Sequence, residues 1–323
     1  MNSKKLTITA WILLIILIFI RCDLIHKINL VGLQTFYKRL TYKPMVSVLI
    51  SSYNMANYLP RSIASIQAQT YENWELLVIN DGSLDNTKDV LRKYENDYKI
   101  RIVHNKENLG LIKSLNKGLK LAKGKYIARL DADDISLPNR LERQVEMMED
   151  LDLDLSGAWC EEAGRYDSTL EDNYSTISIG LSLLKSCIYC HSTTMFKKDF
   201  LKEHNLKYDL NYKNAEDYNL WLKIFLNGGS LGYLGGEPLS IYHRSWHSKE
   251  WFAEQNKNTR KIQYESLSTI VPNASKKLLF RPLPKLIPYL IIGNYKTKIL
   301  NQRELIECAK NRCYERRYLN GRW

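Results

Sequence analysis

The chain of 323 residues has little of what marks unusual polymers, with only eight prolines and fifteen glycines, which excludes collagen-like and low-complexity architectures. No internal period of about 20–50 residues recurs, which excludes a solenoid. Cysteine is sparse: six residues at 22, 160, 187, 190, 308 and 313, scattered through a chain too large to need covalent staples. Cys187 and Cys190 with His191 form at most half a zinc site, because no second pair with suitable spacing follows nearby. Two phosphate cradles are missing as well. No G-x-G-x-x-G follows the first strand-like run and no G-x-x-x-x-G-K-[ST] occurs anywhere, so dinucleotide and P-loop chemistry are excluded.

What is present is ordinary globular material, 45% hydrophobic and 25% charged, and therefore not disordered. The net charge of +12 is unevenly placed: residues 1–43 carry +6, residues 271–323 carry +9, and the stretch between is −3. A near-neutral centre does not fit a nucleic-acid groove, so no nucleic acid polymer is expected as partner. The uncharged run Leu6–Ile20 has fifteen residues, or roughly 22 Å of helix against a hydrocarbon core of ~30 Å. Flanking Lys4, Lys5 and Arg21 can snorkel, and no small-x-small cleavage site follows. The expectation is an uncleaved single-pass N-terminal anchor, with a signal peptide or a surface-lying segment as rivals. The excess of Lys and Arg after the run leads to the expectation that the main body lies on the cytoplasmic face. The basic C-terminal flank, interrupted by Pro282, Pro284 and Pro288, reads either as a helical tail lying on an anionic bilayer or as a solvated tail. Three regions follow: 1–43, an anchor and basic linker; 44–250, the main domain in halves 44–150 and 151–250; and 251–323.

The main domain alternates strand and helix patterns. Val46–Ile50, Trp74–Ile79, Ile100–Val103 and Lys125–Leu130 read as strands. Helical spacing appears over 57–70, Thr87–Tyr98, Leu111–Ala122, and from Pro138 to Glu149. This predicts an α/β fold with a mostly parallel, doubly wound sheet, which binds ligands at the carboxyl ends of its strands. Ser51-Ser52-Tyr53-Asn54, Asn80-Asp81-Gly82-Ser83 and Asp131-Ala132-Asp133-Asp134 each follow a strand and should share one rim. Three carboxylates in four residues repel one another, and a divalent cation relieves that. Hard oxygen ligands suit Mg²⁺ or Mn²⁺, which can bridge to a diphosphate. The competing reading makes Asp134 or Ser136 the cap of the helix near Pro138.

Together these stretches resemble the inverting family 2 glycosyltransferases of the Rossmann-like GT-A fold. The likeness covers about residues 46–250 and runs in order through the three clusters above, Gln69-Thr70-Tyr71-Glu72-Asn73-Trp74, Asn108-Leu109-Gly110, Asn116-Lys117-Gly118 and Ala122-Lys123-Gly124-Lys125-Tyr126. It implies that Ser51, Tyr53, Asp81 and Asn108 serve the nucleotide sugar, with Tyr53 near the base and Asp81 accepting a hydrogen bond from it. Asp133 would be the principal metal ligand and Asp131 would sit at the ribose or metal. Asn80 and Ser51 depart from the residues more frequent there, which blurs donor preference rather than activity.

In the second half, His191-Ser192-Thr193-Thr194-Met195-Phe196 resembles the family's His-containing strand beside the donor sugar. Ala215-Glu216-Asp217-Tyr218 matches its Glu-Asp motif at the head of a helix. The resemblance makes Asp217 the general base, with Glu216 beside it; the alternative is a pair of first-turn acids favoured by the helix dipole. Arg244 and His247 are candidates for the diphosphate, in an alignment of His243-Arg244-Ser245-Trp246-His247 that is ambiguous by a residue or two. The implied activity is metal-dependent transfer of one sugar, from UDP by preference, to a glycan or lipid-linked glycan at the membrane in surface-polysaccharide or glycoconjugate synthesis. A polyprenyl-phosphate sugar synthase and a catalytically inactive membrane-anchored module are the alternatives. A processive synthase would need several spanning helices and a Q-x-x-R-W motif, and the chain has neither.

Overall fold

The computed structural model describes residues 45–162, 176–243 and 248–270. Two compact units divide the chain, Met1–Lys43 and Pro44–Trp323, and the description concerns the second. The run Leu6–Ile20, the basic C-terminal flank, Arg244 and His247 lie outside the described residues. Among the described residues no helix is long and apolar enough to cross a membrane.

The strands are β1 (Val46–Ser52), β2 (Trp74–Asn80), β3 (Ile100–His104), β4 (Tyr126–Arg129), β5 (Ile135–Ser136), β6 (Leu155–Ala158), β7 (Cys160–Glu162), β8 (Met195–Lys197), β9 (Leu231–Leu234) and β10 (Ser240–Tyr242). The helices are α1 (Leu59–Gln67), α2 (Thr87–Arg92), α3 (Leu111–Leu121), α4 (Arg140–Asp150), α5 (Thr176–Leu183), α6 (Lys198–Glu203), α7 (Glu216–Leu226) and α8 (Lys249–Ile270). The main sheet has the order β3-β2-β1-β4-β8-β6-β9, and a small second sheet the order β5-β10-β7. Strands β3, β2, β1 and β4 are parallel, as the alternating pattern predicts. Strand β8 is antiparallel to both of its neighbours. The reason is where it begins. Its entry turn is tied to the carboxyl end of β4, since Arg129 N donates to Thr194 O at 2.8 Å and Asp131 N to Ser192 Oγ at 2.9 Å. A strand that starts at that rim can only run back down the sheet.

Apolar residues alternate along β1, with Val46, Val48 and Ile50 in one buried cluster and Leu49 in the other, so both faces of the sheet are covered. Helix α2 is shorter than its pattern suggests. Asp97 Oδ1 accepts the Lys99 N–H at 3.0 Å, and this local turn competes with helix over Asn96-Asp97. Helix α4 is capped neither by Asp134 nor by Ser136. Its Leu141 N–H goes to Gln69 Oε1 at 3.0 Å, and the same buried amide donates to Leu137 O at 2.8 Å. Gln69 therefore ties α1 to the segment that follows the acidic loop.

Between α3 and β4 the chain passes so close to β1 that a β-carbon at Gly124 would meet Met45 O and Ser47 N at 2.6 Å and Tyr126 O at 2.8 Å. All three are backbone atoms and cannot swing aside. Gly124→Ala should cost about 1–3 kcal/mol, the usual range for overpacking. A thermal melt should show the transition lowered by several degrees; an unchanged melting temperature would mean that β1 yields.

Candidate functional site

The site is built at the carboxyl ends of β1, β2 and β4. Asn54, in the left-handed region at φ 55, crosses to the β2 loop: its Oδ1 accepts Leu84 N at 2.8 Å and its N–H donates to Ser83 Oγ at 3.0 Å. Ser51 is half-buried and Tyr53 exposed, leaving an aromatic ring open to solvent at the strand end. Asn80 donates nothing outward; its amide lies 3.0 Å from His104 Nδ1. Burial and nearby Lys88 hold His104 below its ordinary value. The neutral ring can accept from Asn80, a bond that the ionised Asp more frequent at that place could not donate.

Asp81 is buried and works as a loop anchor. Its Oδ1 accepts Asn105 Nδ2 at 2.7 Å and Leu109 N at 2.9 Å, and its Oδ2 accepts Gly110 N at 2.9 Å. Gly110, at φ 87, begins α3, and that angle favours glycine. Asn108 is exposed on this loop, its Oδ1 also accepting Gly110 N at 2.9 Å. A carboxylate has about four acceptor positions, so Asp81 retains room for one further donor.

The acidic loop after β4 shares its charge unevenly. Asp131 forms an ion pair with the buried guanidinium of Arg129 and accepts Ser192 Oγ at 2.9 Å. Burial pushes the Asp131 carboxyl up, but Arg129, His191 and Ser192 outweigh it and hold Asp131 below the usual range. Asp134 is wholly buried, with His243 N donating to its Oδ1 at 2.7 Å and Ser192 Oγ in contact with its Oδ2. Burial and the Asp131 charge raise Asp134 to about 7. The same two causes raise Asp133. Asp133 Oδ2 lies 3.7 Å from His243 Nδ1, a buried nitrogen with no hydrogen-bond partner. His243 is seated by Tyr58, ring centroids 4.9 Å apart, and Arg61 from α1 donates to Asp133 O at 2.7 Å.

Across the rim, His191 lies not on a strand but in a 3-10 turn, His191–Thr193, that leads into β8. Its Nε2 is 3.1 Å from Tyr208 Oη. Burial and Arg129 lower His191, while Asp217 and Asp131 both act on it in the opposite sense. The charges of one carboxylate from each half of the domain thus both act on this imidazole. Asp217 is half-buried in the first turn of α7, and Glu216 beside it is buried with Oε2 unpartnered. A cavity of about 590 Å³, lined by Leu137, Pro138, Asn139, Glu161, Glu237 and Pro238, contains none of these groups.

The sequence-expected residues Asp131, Asp133, His191, Glu216 and Asp217 are therefore gathered around one rim, with Ser51, Tyr53, Asp81 and Asn108 at its β1–β2 side. Residues that sequence reasoning passed over are Arg129, Ser192, Tyr208 and, among the three residues weighed after β10, His243. Only Arg129 carried a visible signal, a lone charge in the otherwise apolar run Tyr126–Leu130.

Among the described residues no three His, Cys, Asp or Glu side chains stand grouped so as to hold a metal ion. The donors nonetheless suit a hard divalent cation: Asp133 is a carboxylate raised by burial and by the Asp131 charge, opposite an unpartnered imidazole nitrogen. Water and diphosphate oxygens would supply the remaining positions.

Residues 47–204 match the family model described as Glycosyl transferase family 2. An uncharacterized glycosyltransferase of Haemophilus influenzae is 36% identical over 242 residues, covering 70% of this chain and 74% of that protein. One from Rickettsia prowazekii is 34% identical over 257 residues, 75% and 74% of the respective chains. Among solved structures, Staphylococcus aureus TarS 1–349 in complex with UDP-GlcNAc superposes with a TM-score of 0.59 at 18% identity, covering 82% of this chain and 79% of that one. The mannosyltransferase PcManGT of Pyrobaculum calidifontis, in complex with GDP-Man and Mn²⁺, gives 0.52 at 17% identity, covering 85% and 88%. These structural likenesses bear on the fold.

Glu216 generates a pH prediction. Burial and the neighbouring Asp217 raise its carboxyl to about 7 from an ordinary value of 4.5. A group raised in the folded state holds its proton longer there than in the unfolded chain, so its contribution makes stability fall as pH climbs from about 4.5 to about 7. Glu216→Gln, which mimics the protonated form, should flatten that decline. Urea midpoints at pH 5 and pH 8 should differ less in the variant than in the parent; equal pH dependence would show that Glu216 ionises freely.

Proposed function

The chain belongs to glycosyl transferase family 2, and from that membership we propose that it moves a single sugar, with inversion, from a nucleotide-diphosphate sugar to a hydroxyl of a glycan or lipid-linked glycan. The observation that carries the reading is the rim itself, where Asp133 Oδ2 lies 3.7 Å from His243 Nδ1 and the charges of Asp217 and Asp131 both act on His191. A UDP-sugar is the donor of choice, in keeping with the TarS complexes with UDP and UDP-GlcNAc.

Ser51, the Tyr53 ring and the Asn108 loop held by Asp81 receive the nucleoside, Tyr53 offering its exposed face to the base. Asp81 has one acceptor position left for a base N–H. Asp133, with His243, holds Mn²⁺ or Mg²⁺, and Asp131 serves the ribose or the metal from its ion pair with Arg129. When bound, the cation supplies charge that offsets the developing diphosphate. His191 lies beside the sugar, and Arg244 and His247, which follow His243 in sequence, remain candidates for the leaving group.

Asp217 is the general base. Half-buried at the head of α7, it takes the proton from the acceptor hydroxyl as that oxygen attacks the anomeric carbon from the side opposite the nucleotide. Glu216, buried behind it and raised to about 7, does not compete as a base at neutral pH while it carries its proton. The run Leu6–Ile20 and the basic flanks support attachment to a membrane, with the catalytic body on the cytoplasmic side and a lipid-linked acceptor within reach.

Nucleotide release from UDP-, GDP- and dTDP-sugars in the presence of Mn²⁺ or Mg²⁺ tests the reading, with Asp133→Ala and Asp217→Asn in parallel. Metal-dependent release with one donor is expected, falling at least about 100-fold in Asp133→Ala. Transfer in Asp217→Asn should fall by about 10²–10⁴, the range for loss of a general base. No release from any donor together with no nucleotide binding by calorimetry would overturn the enzyme and favour a binding module.

A further inference from the structure

We propose that Tyr208 is a positioning residue for the transfer step: its hydroxyl fixes the ring of His191 at the sugar, and Asn116, from the nucleotide-binding half, fixes Tyr208. The inference rests on the transferase reading above.

Tyr208 lies in an irregular segment between α6 and the short 3-10 turn Leu210–Tyr212, yet it is buried to 1% exposure. Both of its backbone groups are held by one side chain. Asn116 Nδ2 donates to Tyr208 O at 2.8 Å, and Tyr208 N donates to Asn116 Oδ1 at 3.0 Å. A reciprocal amide pair of this kind copies a strand ladder at a single residue and fixes it in both translation and rotation. Asn116 stands on α3, and the start of that helix is held by Asp81 through Leu109 N and Gly110 N. The helix therefore behaves as a rigid lever, anchored at one end where the nucleoside is received and gripping Tyr208 a turn and a half later.

From this seat the Tyr208 hydroxyl reaches His191 Nε2 at 3.1 Å, and the two rings meet edge to face with centroids 5.8 Å apart. Trp221 closes another side of the imidazole, its ring edge-on at 6.4 Å. Burial keeps the Tyr208 hydroxyl protonated, and burial with Arg129 keeps His191 neutral. The hydroxyl then donates to Nε2, which puts the single ring hydrogen on Nδ1. Nδ1 has no protein partner among the described residues. The imidazole thus presents one N–H in one orientation to whatever occupies the rim. The next residue, Ser192, bonds to Asp131 and contacts Asp134, so the turn that Tyr208 steadies also touches the acidic loop.

A tyrosine that merely filled space would be replaced by phenylalanine without consequence. Tyr208→Phe keeps the ring and removes only the hydroxyl. Asn116→Ala keeps the hydroxyl and loosens the backbone that aims it, so it tests the same arrangement if the first variant folds poorly. Two readouts are needed. Long-range ¹H–¹⁵N spectra of histidine-labelled protein report the His191 ring, whose Nε2 resonance should move toward that of an unbonded, tautomerically mixed imidazole in Tyr208→Phe. Steady-state transfer should show kcat lowered on the order of tenfold, as expected when a group is slightly misaimed, with the donor KM changed less than about twofold. Wild-type ring resonances and wild-type kcat in Tyr208→Phe would overturn the proposal and leave the transferase standing. A kcat loss matched by an equal rise in donor KM would overturn it too, by placing the effect in nucleotide binding. If the parent protein turns over no donor while the ring resonance still moves, the transferase reading fails, and with it the catalytic part of the proposal, although the hydrogen bond is confirmed.

Discussion

Arg129 carries its guanidinium, only 1% exposed, beneath a loop bearing three carboxylates, and its ion pair with Asp131 conditions everything around it. A buried charge without a partner costs several kcal/mol, whereas a paired and hydrogen-bonded one is tolerated. Asp131 is the partner, and the consequence spreads outward. Burial, joined by the negative charge of Asp131, pushes Asp133 and Asp134 toward protonation. The backbone of Arg129 is itself clamped by a second buried guanidinium, Arg140, which donates to Arg129 O at 2.8 Å and to Gln144 Oε1 at 2.9 Å. Burial lowers Arg140 only to about 9, so it remains charged at neutral pH. The end of β4, the start of α4 and the entry to β8 are thereby fixed around one charged centre, and the reversed direction of β8 follows from where that centre holds its first residues.

Much of this was legible in the amino-acid order. The four parallel strands are apolar runs closed by polar clusters, and the clusters do meet at one rim because strand-helix alternation leaves no other place for them. Asp131 and Asp133 could be named because three carboxylates in four residues at a strand end repel one another, and Glu216 and Asp217 because the pair at a helix head resembles the family's Glu-Asp motif. What escaped was whatever depended on contacts between distant segments. Nothing near Tyr208 in sequence announces that Asn116, 92 residues earlier, will hold its backbone. Ser192 looks like any serine until its turn is folded against the acidic loop. The approach of His243 to Asp133 needed the register of β10 against β5, where Ser240 pairs with Ser136 and Ile241 with Ile135. The shortened α2 and the foreign cap on α4 are failures of another kind: side chains of Asp97 and Gln69 supply local or long-range bonds that periodicity does not register.

The two halves of the domain are joined at this rim by polar contacts rather than by apolar packing alone. Asn116 holds Tyr208 and Ser192 holds the acidic loop across the two halves, while Asp81 holds the loop before α3 within the first. Each is a short side chain with little conformational freedom to lose, a cheap way to keep geometry. The exposed positions, Tyr53 and Asn108, stand outside this scaffold and are the ones left free to meet a ligand.

The Ser192 hydroxyl has a consequence of its own. It carries one hydrogen, yet its oxygen lies in bonding contact with Asp131 Oδ2, with Asp134 Oδ2 and with the Asp131 N–H. One hydrogen cannot satisfy two anionic oxygens at once. The contacts close without conflict when Asp134 bears the proton and donates to Ser192, which in turn donates to Asp131. The chain of bonds then has a direction, running from the enclosed acid toward the paired one. Reversing a single hydroxyl would break that order, so the protonation of Asp134 is recorded in the orientation of Ser192, one residue away from the imidazole of His191.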